Sequence, residues 1–178
     1  MEPLIVLVVV TLVLLAAGAT GVRWLQPWPV ALRGGLAAMF VLTGLAHFVG
    51  MRAELIGMVP PSLPAPGLLV TVTGVLELAG AAGLLWSRTS PWAAAGLSAL
   101  LVAIFPANVY AALEGLTSTA GDELVPRTAM QVVFLAATLA VLGHHLRARR
   151  LARGAGNDPR SPQVTGGEDP RAAQALSN

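Results

Sequence analysis

Five long apolar stretches constrain the fold of this chain more than any other feature of its sequence. They lie near residues 3–20, 31–50, 67–86, 91–113 and 127–146. Each has the roughly 17–25 residues that an α-helix needs to cross the hydrocarbon core of a bilayer. Only 11% of all residues are charged, whereas a soluble domain carries about a quarter charged residues. The sequence therefore predicts an all-α integral membrane protein with five spans.

The residue types exclude several classes of function. The chain has no cysteine, so it cannot itself form disulfides, thiol nucleophiles or Fe–S clusters. Its basic residues do not form a stripe with interleaved aromatic residues, which argues against a nucleic-acid partner. We find no Gly-rich phosphate loop, no Ser/His/Asp triad and no convincing set of metal ligands, and we therefore expect no metal site.

The distribution of arginine predicts the orientation of the five spans. Cytoplasmic segments carry an excess of basic residues, and an arrangement with the N-terminus outside and the C-terminus inside best satisfies this rule. The arginines on the predicted cytoplasmic side are Arg23, Arg33, Arg88, Arg147, Arg149, Arg150 and Arg153, against Arg52 and Arg127 outside. All four tryptophans also fall at the predicted cytoplasmic interface, where tryptophan is enriched: Trp24, Trp28, Trp86 and Trp92.

The first apolar stretch has an alternative interpretation as a signal peptide cleaved near Ala17-Gly18-Ala19. Cleavage would leave the arginine-rich side outside, and the start "MEPL" lacks a positive n-region, so we favour a retained helix. The predicted organisation is an N-terminal transmembrane helix (1–22), a four-helix transmembrane bundle (23–146), and a basic collar with a disordered cytoplasmic tail (147–178).

Four strongly polar side chains interrupt the predicted spans of the bundle: His47, Glu77, Asn108 and Gln131. Ionisable groups inside a membrane are costly and usually functional, so we expect Glu77 to be protonated or paired. By helical rise, His47 lies roughly 8 Å nearer the outer face than Glu77, which makes a direct bond between them doubtful. We predict a small polar pocket in the outer half, floored by Glu77 and rimmed by the other three. The alternative is that these groups only hold helices together.

Small residues share the helix faces of the two ionisable groups. Thr43 and Gly44 precede His47 by about one turn, and Thr73 and Gly74 precede Glu77 in the same way. Such residues let helices approach closely in lipid, so we assign a packing role to these four and to Gly80. Pro106 removes a backbone hydrogen bond inside the fourth span, and we expect a kink there.

Several motifs, taken together and in order, resemble the DoxX-like family of small bacterial membrane proteins over roughly residues 33–145. They are "GLAHFVG", "MVPPSLPAP", "TGVLELAGAAGLLW", "FPANVYAAL" and "PRTAMQ". The four polar residues fall on matching positions, whereas the first span lies outside the family pattern. The resemblance implies a four-helix membrane bundle. Members of that family are associated with thiosulfate:quinone oxidoreduction and oxidative-stress complexes, and related eukaryotic proteins act as receptor-assembly chaperones.

Three functions follow as hypotheses. The first is a membrane subunit of a redox or detoxification system in the bacterial cytoplasmic membrane, with a quinone, lipid or other small molecule in the polar pocket. Redox partner proteins would supply the missing thiol or metal chemistry, and the chain could form a homo-oligomer. The second is an assembly or chaperone-type interaction protein, and the third is a small proton-coupled transporter.

Overall fold

The structure, a computed structural model, describes residues 2–116 and 124–156, with side chains as far as residue 153. These residues form six α-helices and one 3₁₀ turn, and the described ranges contain no strand. Five of the six helices are long and apolar enough to cross a membrane, as the sequence predicts. The helices are α1 (Glu2–Ala19), α2 (Trp28–Ala46), α3 (Arg52–Gly57), α4 (Pro66–Leu85), α5 (Ser90–Leu113) and α6 (Leu124–Gly156); the turn is Arg23–Leu25.

Two predicted boundaries differ most from the structure. The second span was expected to reach residue 50, but α2 ends at Ala46, and Gly50 adopts a positive φ of 78° that a right-handed helix cannot contain. The last helix continues past 146 to Gly156, because residues 147–153 are arginine, leucine and alanine, which favour helix. The predicted disordered tail from residue 157 lies outside the described residues.

Contacts between successive long helices show that each pair runs antiparallel. Gly44 faces the Glu77–Leu78 pair and Gly74 faces His47, so α2 and α4 pair in opposite directions. Gly80 and Gly83 of α4 face Leu97 and Ala93 of α5, while Ser98 of α5 donates a hydrogen bond to Thr138 of α6. The Trp28 ring of α2 contacts the His144 ring of α6 edge to face, with 5.6 Å between centroids.

The apolar core belongs mainly to these four helices. Fully buried side chains from α2, α4, α5 and α6 pack together, and they include Leu36, Met39, Phe40, Leu84, Leu97 and Val141. The remaining long helix, α1, packs against α2 and adds Leu7 to this core. Much of its length is exposed, as for a helix that would face lipid.

Glycine sets how closely the helices approach. A Cβ on Gly74 would lie 2.6 Å from the His47 Cβ, and one on Gly44 would lie 2.9 Å from the Leu78 side chain. The Gly80 position is similarly close to Leu97. The packing role assigned to these three glycines stays a prediction, and each of them lies at a close contact between helices. A further glycine, Gly35, admits Thr11 of α1 in the same way.

The C-terminus of α4 is capped by side chains from two other segments. Arg33 of α2 donates from Nε to the Leu84 carbonyl (2.6 Å) and from Nη2 to the Leu85 carbonyl (2.8 Å). Thr89 donates to the Gly83 carbonyl at 2.7 Å. The last carbonyls of a helix have no intrahelical donors, so these bonds satisfy groups that would otherwise be orphaned. Arg33 is therefore a buried part of the bundle rather than an exposed cytoplasmic charge.

The close α2–α4 crossing predicts that a methyl group added at a glycine in the crossing destabilises the protein more than one added at a glycine outside it. Gly74→Ala should destabilise the protein by about 1–3 kcal/mol, because the new Cβ forces α4 away from His47. Gly96→Ala is the matched control, since a Cβ there meets nothing within 4 Å. Thermal unfolding of the detergent-solubilised protein, followed by circular dichroism, measures both. Equal shifts for the two variants would contradict the close crossing.

Candidate functional site

Glu77 is a carboxyl group buried in the middle of α4. Its side chain is only 4% exposed. Thr43 of α2 lies opposite, and its hydroxyl Oγ1 is 2.5 Å from Glu77 Oε2. Among the described residues, Thr43 makes the only hydrogen bond to this carboxyl, so the second oxygen, Oε1, is open to another partner. The acid is thus paired with a hydroxyl group of α2.

The Thr43 hydroxyl can serve Glu77 in either protonation state. It can donate to Glu77 when the carboxylate is ionised. When Glu77 is protonated, its O–H can donate to Thr43, and the hydroxyl can turn its own hydrogen to the Met39 carbonyl, 3.3 Å away. A hydroxyl both donates and accepts, so a proton can be bound and released at this pair while the hydrogen bond between Thr43 and Glu77 is kept.

His47 lies one helical turn closer to the end of the bundle. It is the residue that directly follows α2, and its Nδ1 is 2.8 Å from the Thr43 carbonyl. Within the described part of the chain, no hydrogen bond joins its ring to the Glu77 carboxyl. Thr43 contacts both residues, through its hydroxyl to Glu77 and through its backbone carbonyl to His47.

The repeated Thr-Gly pairs of α2 and α4 have different surroundings. Thr43 reaches across to Glu77. Thr73 instead bonds to the Leu69 and Val70 carbonyls of its own helix. The resemblance between "TGLAHF" and "TGVLEL" therefore does not extend to equivalent contacts, although both glycines of the repeat lie in the same crossing.

Asn108 and Gln131 form a second polar group, between α5 and α6. Gln131 is 9% exposed and donates to the Leu101 carbonyl. Asn108 donates to Gln131 Oε1 at 3.5 Å and accepts from Arg127 at 3.4 Å. The three hydrogen bonds form a chain: Arg127 donates to Asn108, Asn108 donates to Gln131, and Gln131 donates to the Leu101 carbonyl of α5.

Pro106 lies next to this second group. Proline has no N–H, so the Val102 carbonyl loses its helical donor and the preceding turn loosens. α5 continues through Pro106 as helix, and the Gln131 amide bonds to the neighbouring Leu101 carbonyl. The side chain of Asn108, two residues after Pro106, bonds to α6.

The described hydrogen bonds thus place the four predicted residues in two groups rather than one. Asn108 and Gln131 lie toward the end of the bundle where α5 finishes and α6 begins, whereas Glu77 lies near the middle of α4, opposite Thr43. Two cavities, of about 330 and 210 Å³, lie elsewhere: one between α4 and α5, the other beside Arg33. Neither is lined by any of the four predicted residues. Among the described residues, no group of three or more His, Asp or Glu side chains could hold a metal ion.

Sequence reasoning missed two arginines that organise this end of the bundle. Arg52, at the start of α3, donates to the His47 and Gly67 carbonyls and to the Thr71 hydroxyl. Arg127 contacts Asn108 and the Met58 sulfur. Both were counted only as external charges. The sequence did contain a signal for these contacts, because Arg52 and Arg127 lie within a few residues of His47 and Gln131. Guanidinium groups readily bond to nearby helix ends.

Removing the Thr43 hydroxyl tests the pairing of Glu77. Thr43→Val should destabilise the protein by about 1–3 kcal/mol, because a buried carboxyl loses its hydrogen-bond partner. Thr73→Val makes the same isosteric change at a hydroxyl that serves only its own helix, and we expect a small effect. Unfolding of the two variants in detergent measures how much stability each one loses. A larger loss for Thr73→Val would contradict the assigned partnership.

Comparison with known proteins gives a family and no further match. Residues 36–150 match a family described as a domain of unknown function (DUF8561). No curated protein and no solved structure matches the chain. The matched range begins within α2, contains all four polar residues and excludes α1. Because the match covers more than half of the sequence, the chain belongs to the DUF8561 family.

Proposed function

We propose that the chain is a multi-pass protein of the bacterial cytoplasmic membrane, with its N-terminus outside and its C-terminus inside. Five candidate membrane-spanning helices support membrane insertion. The tryptophans at one end of the helices are at least half exposed, as interfacial residues would be. Most of the exposed arginines lie at the same end of the helices as these tryptophans, which favours this end as the cytoplasmic one.

The orientation can be tested with single cysteines, because the chain contains none. Ser62→Cys lies in the loop before α4, and Ser87→Cys lies in the loop after it. A membrane-impermeant maleimide applied to intact cells should label position 62 and leave position 87 unlabelled. Permeabilised cells provide the control in which both should react. Labelling of position 87 alone in intact cells would reverse the proposed topology.

We further propose that Glu77 is a proton site for a small molecule, and that the protein is the membrane subunit of a redox or detoxification system. The observation that carries this proposal is the Glu77–Thr43 pair, which can hold a proton in either arrangement while Glu77 Oε1 remains available. His47 adds a second titratable group one turn away. A quinone suits such a site, because its reduction takes up protons together with electrons. Partner proteins would have to supply the electrons, since the chain has no cysteine.

The resemblance to DoxX-like proteins stays a prediction. Some DoxX-like proteins are associated with redox systems, which is the class of function proposed here. The DUF8561 match does not itself connect the two families.

The second candidate function is assembly of another membrane protein, and one feature favours it. Polar bonds join neighbouring helices at several levels: Thr43 to Glu77, Ser98 to Thr138, and Asn108 to Gln131. Such bonds hold membrane helices together without any chemistry. In this case the protein would act through a stable protein partner, and Glu77 would be needed only for packing.

Purification from native membranes, followed by mass spectrometry of bound proteins and extracted small molecules, separates the two functions. The redox proposal predicts a co-purifying quinone that is lost in Glu77→Gln, because the amide cannot exchange a proton as a carboxyl does. Glu54→Gln is the matched control, since Glu54 is an exposed carboxylate on α3. Wild-type protein with no quinone but a stable partner that survives Glu77→Gln would favour assembly and contradict the redox proposal.

A further inference from the structure

Arg33 has more hydrogen-bonding capacity than the fold uses. Its side chain is 8% exposed, although it carries a permanent positive charge. A guanidinium has five N–H donors, and two of them bond to the Leu84 and Leu85 carbonyls. Among residues 2–116 and 124–156, no carboxylate pairs with Arg33. The partial charge of the α4 C-terminus offsets only part of the cation.

A cavity of about 210 Å³ lies beside this arginine. Apart from Arg33, its walls are largely apolar, and they include Leu14, Val30, Leu84 and Leu85. Trp24 also lines it and is 71% exposed. The cavity is therefore at the end of the bundle that carries the exposed tryptophans, where a bilayer would place its headgroups.

We propose that this cavity binds the phosphate of a phospholipid, with Arg33 as the anion-binding group. The free N–H groups of Arg33 would donate to phosphate oxygens, which guanidinium binds well as a fork. The apolar walls formed by α1, α2 and α4 would contact the upper part of the acyl chains. Basic pockets between membrane helices are known to take lipid headgroups.

The surroundings favour a lipid over a free anion. A free phosphate would meet one cation and several leucine and valine side chains, which offer it no further donors. A lipid matches both halves of the site, since the phosphate pairs with Arg33 and the glycerol and acyl groups fill the apolar part. The assignment requires membrane embedding but is independent of the proposed chemistry at Glu77, which lies farther along α4.

The test is native mass spectrometry of the full chain in detergent, titrated with dioleoyl phosphatidylglycerol. Dioleoylglycerol, which has the same chains and no phosphate, is the comparison ligand. We expect saturable one-to-one binding of the phospholipid and markedly weaker binding of dioleoylglycerol. Arg33→Gln should weaken phospholipid binding by about tenfold or more, the factor expected for a lost charge-assisted hydrogen bond.

Arg23→Gln is the matched control, because Arg23 is an exposed arginine near the same helix ends. It should leave the affinity unchanged. Arg33→Gln also removes the cap of α4, so Leu85→Trp provides a second test that keeps Arg33. The Leu85 side chain lines the cavity and is 60% exposed, so tryptophan there should cover the cavity and lower the affinity while the fold is retained.

Three results would overturn the proposal. Equal losses for Arg33→Gln and Arg23→Gln would indicate general attraction to anionic lipid. Equal binding of dioleoylglycerol and the phospholipid would indicate an apolar groove with no role for the phosphate. Inorganic phosphate that binds as tightly as the lipid would assign the site to a free anion.

Discussion

The close approach of α2 and α4 is the constraint on which the candidate site depends. Two glycines, Gly44 and Gly74, face the partner helix at distances that leave no room for a methyl group. A wider crossing would separate Thr43 from Glu77 and leave a buried carboxyl without a partner, which costs several kcal/mol in an apolar medium. The same crossing sets His47 beside Gly74, one turn from the acid. Packing and chemistry therefore rest on the same residues.

Arginine side chains complete the ends of this bundle. Arg33 satisfies two carbonyls at the end of α4, and Arg52 bonds to the His47 and Gly67 carbonyls where α2 ends and α4 begins. The last carbonyls of a helix need donors from outside it, and a planar guanidinium can serve two of them at once. These bonds join α2 to the C-terminus of α4, and α3 to the end of α2 and the start of α4.

Much of this architecture could be predicted from sequence, because helix length and hydrophobicity are local properties. Single stretches of the chain predict five helices that are long and apolar enough to cross a membrane, their approximate limits, and the proline starts of α4 and α5. The packing roles of Gly44 and Gly74 could also be predicted, since each shares a helix face with an ionisable residue. The pairing of side chains could not. Whether Glu77 meets His47 or Thr43 depends on a difference of one helical turn in the register of two helices, and hydropathy does not specify register. The same uncertainty explains why one pocket was predicted where the structure shows two polar groups.

The asymmetry of the repeated Thr-Gly pairs bears on which role of Glu77 is the more plausible. If the polar residues only held helices together, Thr73 could contribute an equivalent bond to α2, yet its hydroxyl bonds to its own helix. Thr43 alone crosses the interface, and it does so with a second acceptor, the Met39 carbonyl, within reach. An amide in place of Glu77 could bond to Thr43 equally well and would be easier to bury. A carboxyl at this position adds the ability to gain and lose a proton, which an amide lacks. This argument favours proton exchange over packing as the reason for an acid at position 77.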